Sequence, residues 1–80
     1  MSIYPNPLSQ NQLLNVVING LEANSPTEIQ IVNMQGIKVN GATITTDSGG
    51  SLKTSIGLTG FSAGLYILNV QNVHYKFIIE

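Results

Sequence analysis

The side chains able to do chemistry are few and scattered along the chain. His74 is the only histidine, and the acids are Glu22, Glu28, Asp47 and Glu80. A histidine base or a metal centre needs partners close in space. His74 shares strand parity with Lys76, which assigns it to a solvent face. The carboxylates fall one per segment, the wrong pattern for paired-carboxylate catalysis. Calcium takes several oxygen ligands, usually from clustered carboxylates. Asp47-Ser48-Gly49-Gly50 supplies a single one and reads as a turn. Ser62 falls in Gly60-Phe61-Ser62-Ala63-Gly64, a Gly-x-Ser-x-Gly match by residue type, but no helical pattern follows it to build a nucleophile elbow. Gly57-Leu58-Thr59-Gly60 lacks the lysine, the hydroxyl residue after it and the helix of a phosphate loop. With no cysteine there is no disulfide and no thiolate metal site. The expectation is a protein that is not an enzyme, binds no metal and takes no cofactor.

The tyrosines could stack on a sugar or a base. Tyr66 is expected in the core, its hydroxyl tied to backbone as in a tyrosine corner. Tyr75 shares parity with Phe77, which also places it in the core. Tyr4 alone is expected at the surface, and one aromatic ring is not a binding platform.

Charge narrows the partners. Charged residues make up 9% of the chain and the net charge is −1, against about 25% charged in an average domain. Without a basic stripe there is nothing to neutralise phosphates, so nucleic acid is excluded as a partner. Electrostatic capture by an anionic membrane is excluded on the same ground. The longest apolar run, Leu65-Tyr66-Ile67-Leu68, is far short of a transmembrane segment. The N-terminus lacks the basic-then-apolar pattern of a signal peptide. An exported protein of this kind would carry its export signal elsewhere, or be one piece of a longer parent. An Asn-, Gln-, Ser- and Thr-rich surface of low charge points to an extracellular β domain.

The elements that must position these residues are short strands. Eighty residues make one domain, and β-type runs recur between turn residues about every ten positions. Ile3-Tyr4 leads into Pro5-Asn6-Pro7, a stiff extended entry or edge segment. Gln12 to Ile18 is predicted as a strand, with Leu14, Val16 and Ile18 on one face. Glu28 to Met34 is a second, with Ile29 and Ile31 sharing a face, and Gln35-Gly36 is a turn. Asn40-Gly41, between Ile37-Lys38-Val39 and Thr43-Ile44-Thr45, predicts a type I′ hairpin. Ser51 to Leu58 alternates, with Leu52, Thr54, Ile56 and Leu58 on one face. Thr59 to Gly64 is a corner. Leu65 to Val70 follows, with Tyr66, Leu68 and Val70 inward. After a Gln71-Asn72 turn, Val73 to Ile79 closes the chain, with Phe77 and Ile79 inward and Lys76 outward. The fold class is all-β, an immunoglobulin-like β-sandwich of about seven antiparallel strands spanning residues 1–80.

Three stretches in series resemble the type A C-terminal sorting domain of proteins exported by the bacterial type IX secretion system. Ile3-Tyr4-Pro5-Asn6-Pro7 is similar to that family's opening motif. Ile29 to Val39, containing Gly36 and Lys38, is similar to its strand–glycine–basic–valine segment. Leu58 to Val70, containing Gly64 and Tyr66, is similar to its alanine-glycine-x-tyrosine segment. The last strand, Tyr75 to Ile79, resembles the family's terminal strand, although this chain ends on Glu80 where members often end on a basic residue.

The resemblance implies a domain at the C-terminus of a longer secreted protein of a Bacteroidota-type bacterium. Its cargo would lie upstream and reach the periplasm by a separate signal. An outer-membrane translocon would recognise the domain, and a sortase-like peptidase would remove it. Cargo would be released or held at the cell surface. By position, recognition falls on Lys76, Phe77, Ile78, Ile79 and Glu80. Tyr4, Pro5, Asn6, Pro7, Gly36, Lys38, Gly64 and Tyr66 mainly specify the fold. A terminal strand at a sheet edge offers unpaired backbone to a partner, or to a second copy in an edge-strand dimer. Ile78 is apolar yet has outward parity, which makes it a candidate contact. The alternative is an accessory binding or adhesive β-sandwich of a surface protein, and a third reading is a spacer that orients a neighbouring domain.

Overall fold

The computed structural model describes residues 2–9, 12–71 and 73–80. Seven strands follow in order: β1 (Ser2–Tyr4), β2 (Leu13–Ile18), β3 (Pro26–Val32), β4 (Lys38–Thr45), β5 (Leu52–Gly57), β6 (Gly64–Val70) and β7 (Val73–Ile79). They form a three-stranded sheet, β1-β2-β5, and a four-stranded sheet, β4-β3-β6-β7. Every strand pairing is antiparallel. The two sheets make the predicted sandwich.

Alternation in the sequence decides what is buried. Leu14, Val16 and Ile18 of β2 face Ile29 and Ile31 of β3, with Leu68 and Val70 of β6 and Phe77 and Ile79 of β7, all in one core. A residue slip in any of these strands would turn its apolar set to solvent, so the register is strongly specified. At one end of the core the Tyr66 ring stacks on Phe77, with centroids 5.8 Å apart, and Phe61 tilts against Tyr66 at 5.7 Å. The Tyr66 hydroxyl donates to the Ser62 carbonyl at 2.8 Å, as a tyrosine corner requires. That bond lets a polar ring tip lie within apolar packing.

The turns explain the strand order. Asn33 accepts from the amides of Gln35 and Ile37 through its Oδ1 (3.0 and 3.1 Å), and Gly36 takes φ +80°. This tight turn sends β4 straight back along β3 for seven paired positions. In the common immunoglobulin arrangement the fourth strand lies beside the fifth; here β4 lies beside β3.

The predicted hairpin at Asn40-Gly41 is not formed. Both residues lie inside β4, opposite Ile31 and Gln30, and neither has positive φ. The turn at Asn33–Gly36 already sets the register. A second reversal would break a long ladder into two fragments of about three residues, too short to be stable alone.

Tyr75 is the second correction. It has inward parity but is 36% exposed, and Val73 is exposed as well. The start of β7 is the margin of a four-stranded sheet facing only three strands, so inward parity there does not mean cover. Gln71 takes φ +53° at the β6–β7 turn; its predicted turn partner Asn72 lies outside the described residues.

Candidate functional site

β7 is an edge strand, as its place at the end of the four-stranded sheet requires. Phe77 and Ile79 are buried, while His74, Lys76 and Ile78 point outward. Ile78 is 46% exposed, the outward apolar residue that its parity predicted.

The edge itself is not open along the last residues. After β1 the chain passes through two cis peptides, Tyr4-Pro5 and Asn6-Pro7, and leaves the three-stranded sheet for the edge of β7. The Asn6 carboxamide donates through Nδ2 to the Lys76 carbonyl at 3.3 Å, and its Oδ1 accepts from the Ile78 amide at 3.1 Å. The Leu8 amide donates to the Ile78 carbonyl at 2.9 Å, and the Glu80 amide donates to the Leu8 carbonyl at 2.8 Å. Leu8 thereby bridges to Ile79 in parallel and is fully buried.

The expectation of unpaired backbone along the terminal strand is corrected for Lys76 to Glu80. Prolines have no amide to donate. The Asn6 side chain supplies the missing donor and acceptor and acts as a surrogate strand. The opening and terminal motifs are thus one structural unit, although 72 positions separate Asn6 from Ile78. A dimer through this stretch of edge would have to displace the clip.

The other motif residues are structural supports. Gly36 makes the β3–β4 turn, and Gly64 opens β6 at φ +153° just before buried Tyr66. Lys38 begins β4 opposite Val32, and its side chain lies across Gly41. Tyr4 is half exposed at the end of β1, and its carbonyl accepts from Asn15 Nδ2 at 3.1 Å.

Behind Ile78, the outer face of the four-stranded sheet divides in two. Across the strands Ile78 sits opposite Leu65, and Lys76 opposite Ile67. Ile67 in turn pairs with Val32, and Val32 with Lys38. Directly opposed side chains touch across strands, so Ile78, Leu65, Ile67 and Val32 form one apolar patch. Met34, 59% exposed in the turn beyond β3, shares a shallow recess with Leu65. The other half is polar and internally bonded: Asn69 Oδ1 meets His74 Nδ1 at 2.5 Å, and Gln30 Nε2 donates to Glu28 Oε1 at 2.8 Å. This patch was not legible by parity alone, since it needs the register of four strands.

The ionisable groups are not brought together. Glu22 lies between β2 and β3, Glu28 on β3, Asp47 in the β4–β5 turn and Glu80 after β7. Asp47 Oδ1 is occupied by the amides of Gly49 and Ser51, each at 2.9 Å. Among the described residues no three His, Asp or Glu side chains are grouped as a metal would require. A cleft of about 270 Å³ opens between β4 and β5, lined by Ile29, Ile31, Ile44 and Ile56 with small neighbours and no titratable side chain. No helix of the described residues is long and apolar enough to cross a membrane.

The described residues thus form a β-sandwich whose terminal strand is clipped at its edge by Asn6 and Leu8. The family model described as "Secretion system C-terminal sorting domain" matches residues 2–80. The chain belongs to this family, and its function is that of a C-terminal sorting signal for type IX secretion. No curated protein matches the chain.

Proposed function

We propose that residues 1–80 act as one non-catalytic module of a longer secreted protein. Cargo lies upstream, enters the periplasm by its own signal and crosses the outer membrane when a translocon engages this domain. A sortase-like peptidase then separates domain from cargo, which is released or retained at the cell surface. Recognition centres on the terminal strand, Lys76 to Glu80, with Phe77 and Ile79 anchoring it and Lys76 and Ile78 presented outward. Tyr4 to Pro7, Gly36, Lys38, Gly64 and Tyr66 hold that strand in place.

One observation carries this reading: a family match along essentially the whole chain, ending in an edge strand whose outward apolar residue is 46% exposed. The test is a periplasm-targeted fluorescent reporter fused ahead of residues 1–80 in a bacterium with a working type IX system. Delivery to the surface or medium, lost in an isogenic strain without the translocon, is the expected result. Retention of a folded fusion in the periplasm of both strains would refute it.

A further inference from the structure

The clip formed by Asn6 and Leu8 raises a question that the sorting function leaves open: what the machinery touches, if the backbone edge of the last residues is already filled. We propose that the contact is made face-on. The docking surface is the apolar half of the four-stranded sheet's outer face, formed by Ile78, Leu65, Ile67 and Val32 with Met34 at its margin. Its occupant is a protein surface with an apolar centre flanked by carboxylates, on the export machinery. This deepens the sorting function and rests on it.

Three observations converge. Strand addition at Lys76 to Glu80 would have to break four hydrogen bonds that the domain makes to itself. A face-on partner breaks none. Next, the row through the middle of the patch reads Lys76, Ile67, Val32, Lys38 across β7, β6, β3 and β4. A lysine backbone therefore stands at each end, about 14 Å apart by three interstrand spacings, with the Lys38 side chain running from there along β4 over Gly41. The chain has three Lys and Arg residues in all, and two of them flank this one apolar row. Glu28, the carboxylate on the same face, sits in the polar half and is bonded to Gln30.

The opposite outer face is built differently. On the three-stranded sheet, exposed Leu13 and half-buried Val17 are separated by Asn15, whose Oδ1 accepts from the Ser55 hydroxyl at 2.8 Å. Its apolar residues are interrupted, whereas those of the four-stranded sheet are continuous. The lysines also choose among occupants. A second copy laid face to face about a two-fold axis would bring lysine onto lysine, which is unfavourable. Two lysines are too few to hold the domain on an anionic bilayer.

The test uses the same reporter fusion. Ile67→Thr combined with Ile78→Thr removes the centre of the patch while keeping strand-compatible residues. Lys38→Glu combined with Lys76→Glu reverses the rim on exposed side chains, so it reports even where the threonine pair fails to fold. Leu13→Thr is the control on the opposite face. With folding checked by thermal melts of the purified domains, export should fall at least tenfold in both double variants and stay within twofold of the parent in the control. Folded double variants exported like the parent would overturn face-on docking and leave the sorting function intact. Loss of export in the parent itself would remove the sorting function and this proposal together. Co-sedimentation of the parent with phosphatidylglycerol vesicles, abolished in the double variants, would reassign the face to lipid and also overturn the proposal.

Discussion

Asn6 does more than its position in a proline-flanked entry suggests. Its carboxamide supplies one donor and one acceptor where the two neighbouring prolines supply no amide, and both reach the terminal strand. Asn6→Ala should cost about 1–2 kcal/mol, two solvent-accessible hydrogen bonds at their usual net worth. It should also free the Ile78 amide, so hydrogen exchange there should accelerate well beyond the change in global stability. Equal acceleration at all core amides would mean that the bond is not local. The sequence presents Pro5-Asn6-Pro7 as an extended entry, and the structure instead bends it through two cis peptides. What the sequence cannot present is the partner strand, because no local periodicity links residue 6 to residue 78. Leu8 was missed for the same reason: a single apolar residue after a proline run carries no pattern, yet it is fully buried. Tyr66 was legible down to its hydroxyl, since a corner of small residues followed by an inward tyrosine specifies its own acceptor.

Among the elements, turns carry the specificity and strands the alternation. β2, β3, β6 and the end of β7 were legible because one face of each is apolar at period two; β4 has no such face and reads as two fragments about a turn. The turns were legible as places but not as choices. Gly36 and Asn40-Gly41 compete to reverse the chain, and the outcome depends on how much ladder each reversal leaves behind. Two left-handed glycines separate backbone cost from packing cost. At Gly36, φ +80°, an added Cβ meets nothing within 4 Å. Gly36→Ala should therefore lose about 1–2 kcal/mol, the left-handed penalty alone. At Gly50, φ +76°, the same Cβ would lie 2.1 Å from the Leu21 carbonyl oxygen. The Leu21 amide donates to the Gly50 carbonyl at 3.0 Å, so the clash falls on a backbone pairing that joins the β2–β3 loop to the β4–β5 turn. Gly50→Ala should cost roughly 3 kcal/mol or more, from strain and displaced packing together. Urea denaturation of the two variants side by side checks the difference.

For the molecule as a whole, the signal and the fold cannot be separated by deletion. A chain of this size has about 4–12 kcal/mol of stability. Phe77→Ala alone should remove about 3–5 kcal/mol, and a melt or urea titration should show the domain near or past its midpoint at growth temperature. Deleting Lys76 to Glu80 removes Phe77, Ile79 and the partners of Asn6 and Leu8 at once. Such a chain should be unfolded, and its failure to direct export would say nothing about contacts. Substitutions on the outer face distinguish contact from folding. The architecture was legible at this scale because low charge, regular turn spacing and recurrent short β-type runs all pointed to one answer. The presenting surface was not, since it exists only once four strands are in register.

The central claim is that this folded sandwich is itself the address. Fluorescence of a periplasm-targeted reporter carrying residues 1–80 should be measured in the medium and at the cell surface. A type IX strain and its translocon-deficient derivative should be compared, with domain folding verified. Most of the reporter should lie outside the outer membrane in the first strain and be retained in the periplasm in the second. A folded reporter distributed alike in both strains would contradict it.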